Sequence, residues 1–198
     1  MIKLSKMSGK LKGIGAINTN TTSNGFCIKQ NGNGKPDSIC SECYSWRMLK
    51  TFRKNAVPAF EHNSKVLSEK IIHPDGLPIT DYAYFRFNGH GELINSNHFH
   101  NLLNICKKNK KTTFALWTKR SDIVKRELKS RDKPKNLILV YSNPKIDSVI
   151  GIPKGFNKVF NNVSHDIGTN CHGKCIDCLK CYNTSRYKAN NVITEQVK

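Results

Sequence analysis

Eight cysteines carry the most visible chemistry in this chain, and seven of them fall into two groups. The run Cys171-His-Gly-Lys-Cys175-Ile-Asp-Cys178-Leu-Lys-Cys181 places four thiols in eleven residues. Three of them repeat at the C-x2-C-x2-C interval that lets a short loop wrap one face of an iron–sulfur cube. Zinc is the competing metal, but its structural sites usually take paired knuckles separated by a longer loop, because four tetrahedral donors from one tight run are hard to orient. A disulfide framework is disfavoured: cysteines this close pair only with strain, and no leader peptide points to an oxidising compartment. The other group, Cys27, Cys40 and Cys43, follows C-x12-C-x2-C, and the Gly/Asn/Pro insert from Asn31 to Pro36 can fold back to bring Cys27 beside the other two. Without a metal, Cys40 and Cys43 read as small buried residues.

Seven thiols divide naturally into three and four. Three thiolates on a 4Fe–4S cube leave one iron open to a ligand, while four close a second cluster for electron transfer or structure. If there is only one cluster, a thiol from the C-terminal run completes it and ties the two chain ends together. His165, Asp166 and His172 are extra ligands or proton donors on this reading, and ordinary surface groups otherwise.

The elements that must position these groups alternate. Trp46, Leu49 and Phe52 share one side of a helix after Tyr44, and a second helix runs from Pro58 to about Ile72 with proline in its first turn. Tyr82–Phe87 reads as an aromatic strand. Ser96 then caps a helix whose apolar positions Phe99, Leu102, Leu103 and Cys106 follow i, i+3, i+4, i+7, which assigns Cys106 to a core face. Strands follow at Thr112–Thr118, Asn136–Ser142 and Lys158–Val163, with a helix from Ser121 to about Ser130 and a turn at Asn143-Pro144. Apolar strands separated by helices imply parallel pairing. The expected fold is α/β: a partial (β/α) barrel-like parallel sheet with cysteine-rich metal loops at both ends of the chain. Residues 1–182 form one iron–sulfur domain and 183–198 a polar C-terminal tail.

In such sheets function gathers at the carboxyl ends of the strands. Asn88-Gly89-His90-Gly91-Glu92, Thr118-Lys119-Arg120, Ser142-Asn143 and Ser164-His165-Asp166 each sit just after a strand. Glu92 and Lys119 are the catalytic candidates. A carboxylate in a glycine-rich turn faces the site as substrate binder or base, or else stabilises the next helix N-terminus.

Lys and Arg total 33 against 14 acids, a formal charge of +19 that is most simply explained by a polyanionic partner, with Lys/Asn-rich composition bias as the bland alternative. Arg47, Arg53 and Lys54 follow the first cysteine group, and Trp117, Lys119 and Arg120 close a central strand. Cations and stacking faces on one rim suit single-stranded or distorted nucleic acid. No run approaches a membrane span, so a cytoplasmic protein is expected, where reduced thiols bind metal.

The series Cys40-x2-Cys43-Tyr44, Arg47, Arg86-x-x-Gly89-x-Gly91-Glu92 and Trp117-Thr118-Lys119 resembles the phage "gene product eighty-eight" family of small cysteine-rich proteins, which implies a host-cell cytosol for a phage-encoded chain. More remotely, a cysteine loop ending in C-x2-C-aromatic, followed by a Gly-Gly-Glu-like turn after the next strand, is similar to radical S-adenosylmethionine (SAM) enzymes built on partial α/β barrels. That resemblance implies SAM bound at the open iron, with Tyr44, Asn88, Gly89, Gly91, Glu92, Ser142 and Asn143 as its contacts. The chain departs from the usual C-x3-C-x2-C of those enzymes, and His90 splits the paired glycines. A C-x3-C-x2-C does occur at Cys171, Cys175 and Cys178, but it lies after the last recognised strand and reads as part of an auxiliary cluster.

Overall fold

The computed structural model describes residues 1–32, 34–166, 168–184 and 191–197. In chain order its elements are β1 (Ser5–Lys6), β2 (Gly15–Ile17), α1 (Gly25–Gly32), α2 (Tyr44–Lys50), α3 (Val57–Glu69), β3 (Tyr84–Phe87), α4 (Ser96–Lys108), β4 (Thr113–Thr118), α5 (Ser121–Glu127), β5 (Leu137–Ile146), β6 (Lys158–Val163), α6 (Cys175–Cys178) and β7 (Val192–Gln196). The strands form one sheet in sequence order: β2 to β7 are parallel, and β1 pairs antiparallel with β2 at the edge. Sequential order means that every crossover steps the same way, and the fixed hand of such connections gathers α3, α4 and α5 on one face, as in (β/α) barrels. The parallel α/β sheet of partial-barrel type is therefore what forms, with more strands than the sequence displayed.

Strand alternation sorts the two faces. Phe85, Phe87, Phe114, Leu116, Leu137 and Leu139 point to the helices, where they pack on Leu67 of α3, the α4 stripe Phe99, Leu102, Leu103 and Cys106, and Ile123 and Val124 of α5. Cys106 is fully buried there, as its helical register requires. The opposite face carries Ala115, Trp117, Ile138 and Val140, and it is covered by Tyr182 together with Cys175, Ile176, Leu179 and Cys181. The C-terminal cysteine run thus lies against the sheet rather than beyond its end.

Three local readings are corrected and one helix is added. The α4 N-cap is Asn95, whose side chain accepts from His98 N at 3.0 Å; Ser96 is the first helical residue, and its hydroxyl takes Arg126 Nη2 at 2.6 Å. The added helix is α1, which starts at Gly25 because Asn24 Oδ1 accepts from Phe26 N and Cys27 N at 3.0 and 3.4 Å. Asn143-Pro144 does not end β5; the register shift between Ser142 and Ile146 accommodates a proline without N–H, and the strand runs on.

The polar tail is the third correction. Val192–Gln196 pairs along β6 from Val159↔Val192 to Val163↔Gln196, and Ile193 is fully buried. Residues 185–190 and 198 of the expected tail lie outside the described residues. Ile193→Val is accordingly expected to lower stability by about 1 kcal/mol in urea unfolding; an unchanged midpoint would return this segment to a tail. Among the described residues no helix is long and apolar enough to cross a membrane.

Candidate functional site

The carboxyl ends of β2 to β5 open into a cavity of about 120 Å³ lined by Cys27, Cys40 and Cys43 together with Tyr44, Asn88, Gly89, Gly91, Glu92, Lys119 and Ser142. Three separate devices bring the thiols there. Asn24 caps α1 and so places Cys27 in its first turn, while Asn24 Nδ2 donates to Glu92 O at 3.0 Å. Asn31 Nδ2 reaches from the end of α1 to Cys40 O at 2.8 Å. The chain just before Cys40 is stitched to the extended end of β5, Ile39 N to Pro144 O at 2.9 Å and Ile146 N to Asp37 O at 2.7 Å. Cys43 then stands as N-cap of α2, with Tyr44 as its first residue.

The Asn88–Glu92 turn is held against the residues after β2. His90 N donates to Asn18 Oδ1 at 2.9 Å, Thr19 N to His90 O at 3.1 Å, and Gly91 N to Thr21 Oγ1 at 3.0 Å. Gly91 sits at φ +85°, where a Cβ would come within 2.0 Å of Thr19 Oγ1, so only glycine permits this approach. Tyr44 OH donates to Gly89 O. His90 is buried with its ring against Phe60 and Tyr44 and its Nδ1 2.8 Å from Ser45 Oγ. Burial lowers its pKa to about 4, so it is a neutral pin between the turn and α2.

Glu92 is also buried, and both of its oxygens accept: Oε1 from Leu93 N at 2.7 Å and Thr118 Oγ1 at 2.5 Å, Oε2 from Lys119 N at 2.8 Å. Burial pushes its pKa up against the pull of Lys119 and these donors. It clamps the turn to the end of β4. Among the described residues, Lys119 Nζ has one hydrogen-bond acceptor, the neutral Ser142 Oγ at 3.1 Å. Burial works against its charge, but the neighbouring Cys40, Glu92, Cys43 and Cys27 outweigh it and its pKa is raised. Burial likewise pushes the Cys27 and Cys40 thiols up, so as free thiols they keep their protons until a metal replaces them.

All four thiols of the C-terminal run line a second, tighter cavity on the far face of the sheet, with Lys10, Tyr182 and Ile193. Cys175 and Cys178 are the two ends of α6, and Leu179 at φ +49° turns the chain back so that Cys181 rejoins them. Lys10 Nζ reaches Cys171 Sγ at 3.2 Å and Glu195 Oε1 at 2.5 Å, and burial pushes the Cys181 thiol up to about 12. All eight cysteines are free. Among the described residues, no three His, Cys, Asp or Glu side chains are gathered as a single metal ion needs.

The family model described as Gene product 88 matches residues 5–164, which span β1 to β6 and the whole cleft. The chain belongs to the Gene product 88 family. No curated protein and no solved structure matches it. The family span of this Gene product 88 chain contains the first cysteine group and ends before Cys171.

Not every expected residue of the Gene product 88 cleft is where the sequence put it. Asn143 points away, as alternation after Ser142 demands, and binds Ser148 O at 2.6 Å and Asn161 Oδ1 at 3.0 Å. Trp117 is only 8% exposed, with its ring under the Arg86 guanidinium, so no base stacks on it from a rim. Arg120 is committed to Asp122 at 2.7 Å and covers the Phe26 ring. Arg47 and Lys54 are exposed, and Arg53 donates to Ser8 Oγ at 2.9 Å. Ser164 and His165 stand on the surface around Asp147, and Asp166 and His172 are exposed too. Sequence reasoning passed over Asn18, Thr21, Asn24 and Asn31, whose roles rest on distant partners. It also left Arg86 without a role, although a cation between Phe85 and Phe87 in an alternating strand must face away from the helices.

Proposed function

We propose that this protein is an iron–sulfur enzyme of radical SAM type that acts on nucleic acid or a nucleotide-bearing substrate in the reducing cytosol of a host cell. The observation that supports this reading is that Cys27, Cys40 and Cys43 line one cleft at the carboxyl ends of the strands, beside the Asn88–Glu92 turn. The donor set fits a three-thiolate site: the other potential ligands on its wall, His90 and Glu92, are held by protein partners. When bound, a cluster with one open iron supplies one-electron chemistry to a SAM ligand.

The rest is the work of the chain. Lys119 keeps a positive charge beside the Cys27 and Cys40 sulfurs, which favours their thiolate forms against the opposing effect of burial. Tyr44 and Asn18 lock the turn, so Asn88 and Gly89 are set before any ligand arrives. Cys171, Cys175, Cys178 and Cys181 would hold a second, closed cluster, since four thiols in one cavity leave no position for substrate.

Anaerobic purification followed by iron, sulfide and zinc analysis tests the metal, and paramagnetic resonance of the reduced protein with and without SAM tests the open iron. Iron with sulfide and a SAM-dependent spectrum is the expected result. Stoichiometric zinc without sulfide would sink it. A spectrum indifferent to SAM, with salt-sensitive binding of DNA or RNA, would instead leave a noncatalytic nucleic-acid-binding protein, the reading favoured by the +19 charge.

A further inference from the structure

We propose that the sheet face between the two cysteine groups seats an oxyanion of the substrate, a phosphate or carboxylate, with Arg86 as its anchor. This deepens the assignment of the cleft as the active site, and it rests on that assignment.

Arg86 leaves β3 on the face away from the helices and lines the cleft. Its guanidinium carbon lies 4.0 Å from the centroid of the Trp117 ring. Stacking fixes the plane of the guanidinium and leaves its edge for a ligand. Among the described residues the buried Nε has no acceptor and no ion pair involves Arg86. The carboxylate in the cleft lining, Glu92, already accepts from Leu93, Thr118 and Lys119. Lys119 adds a second cation to the same cavity, with only a hydroxyl partner among the described residues. Arg86 is half-buried, but a buried donor such as its Nε is costly without an acceptor, and a two-oxygen anion on the guanidinium fork is its best complement.

The seat also has a floor. Tyr182 packs at 6.2 Å from Trp117 and lines the second cavity, and its buried hydroxyl has no partner among the described residues. A cavity of about 120 Å³ excludes a duplex and selects a small anionic headgroup. The competing role for Arg86 is compensation of cluster charge, because its field also acts on Cys175 and Cys181.

Both tryptophans of the chain line the cleft, so a Trp46→Phe background leaves Trp117 as the sole fluorophore, directly beneath Arg86. The full chain would be titrated with adenosine monophosphate, adenosine, inorganic phosphate and acetate, with iron measured on the same sample. The monophosphate is expected to bind about tenfold or more tightly than adenosine, and Arg86→Gln to abolish the difference. Competition by phosphate but not acetate identifies a phosphate seat, and the reverse a carboxylate seat. Should Arg86→Gln fail to fold, Arg86→Lys keeps charge and stem but loses the fork, and weakened monophosphate binding is expected there too. Equal binding of adenosine and its monophosphate, no response to any anion, or unchanged affinity in the Arg86 variant that folds would overturn the seat. Loss of iron in that variant with anion binding intact would do so as well, by assigning Arg86 to the cluster. Anion-dependent binding in iron-free protein would uphold the seat while removing the cluster reading.

Discussion

Cys106→Ser is expected to keep all of its iron and lose stability, whereas Cys178→Ser and Cys43→Ser are each expected to stay folded and lose roughly four of about eight irons per chain. The contrast follows from place. Cys106 is fully buried in the helix-side core, so a serine there buries a hydroxyl at a cost of about 1–3 kcal/mol and touches no metal. Cys178 is exposed at the end of α6 and Cys43 is an N-cap on the cleft wall, so neither carries core packing. Iron, sulfide and urea midpoints measured on the three variants check this directly. Complete loss of iron from both Cys43→Ser and Cys178→Ser would replace two clusters with one shared between the chain ends. Iron content that does not distinguish Cys106→Ser from the others would show the division of thiols to be wrong.

Glu92→Ala is expected to be the most destabilising single change in the cleft, about 3–5 kcal/mol, the scale for removing one partner of a buried charged network. The alanine leaves Thr118 Oγ1, Leu93 N and Lys119 N without their acceptor and detaches the glycine turn from β4. Urea unfolding measures the loss. A stable Glu92→Ala protein that lacks activity would show instead that the carboxylate is a free base. Acidity supplies a second check with a defined sign. Burial raises the folded pKa of Glu92 above the unfolded value, so its ionisation opposes folding: the contribution is fullest below the unfolded pKa and falls as pH rises through the folded one. Glu92→Gln should remove that slope.

Much of the site could be read along the chain because its signals are local. Thiol spacing is a property of a few consecutive residues, and so is the α4 stripe that put Cys106 in the core. The glycine turn announced itself by following an aromatic strand. Asn143 was misplaced by one residue of alternation, which only the observed register of β5 on β6 corrects. Asn95 displaced Ser96 as a cap because adjacent polar residues compete for the same helix start, and the backbone geometry decides between them.

The sequence by itself determined the parallel α/β class, the two thiol groups and the exclusion of Cys106, since strand alternation, helical period and ligand spacing are encoded within single elements. Tertiary structure alone decided the rest. Val192–Gln196 becomes a strand only because β6 offers a parallel partner and the sheet buries Ile193. The C-terminal thiols come to lie against the sheet face opposite α3 to α5, where Tyr182 beside them packs on Trp117, which also lines the cleft of the first group. Arg86 acquires its meaning there too. Which distant groups surround a side chain is set by how the elements stack, and no stretch of neighbouring residues carries that information.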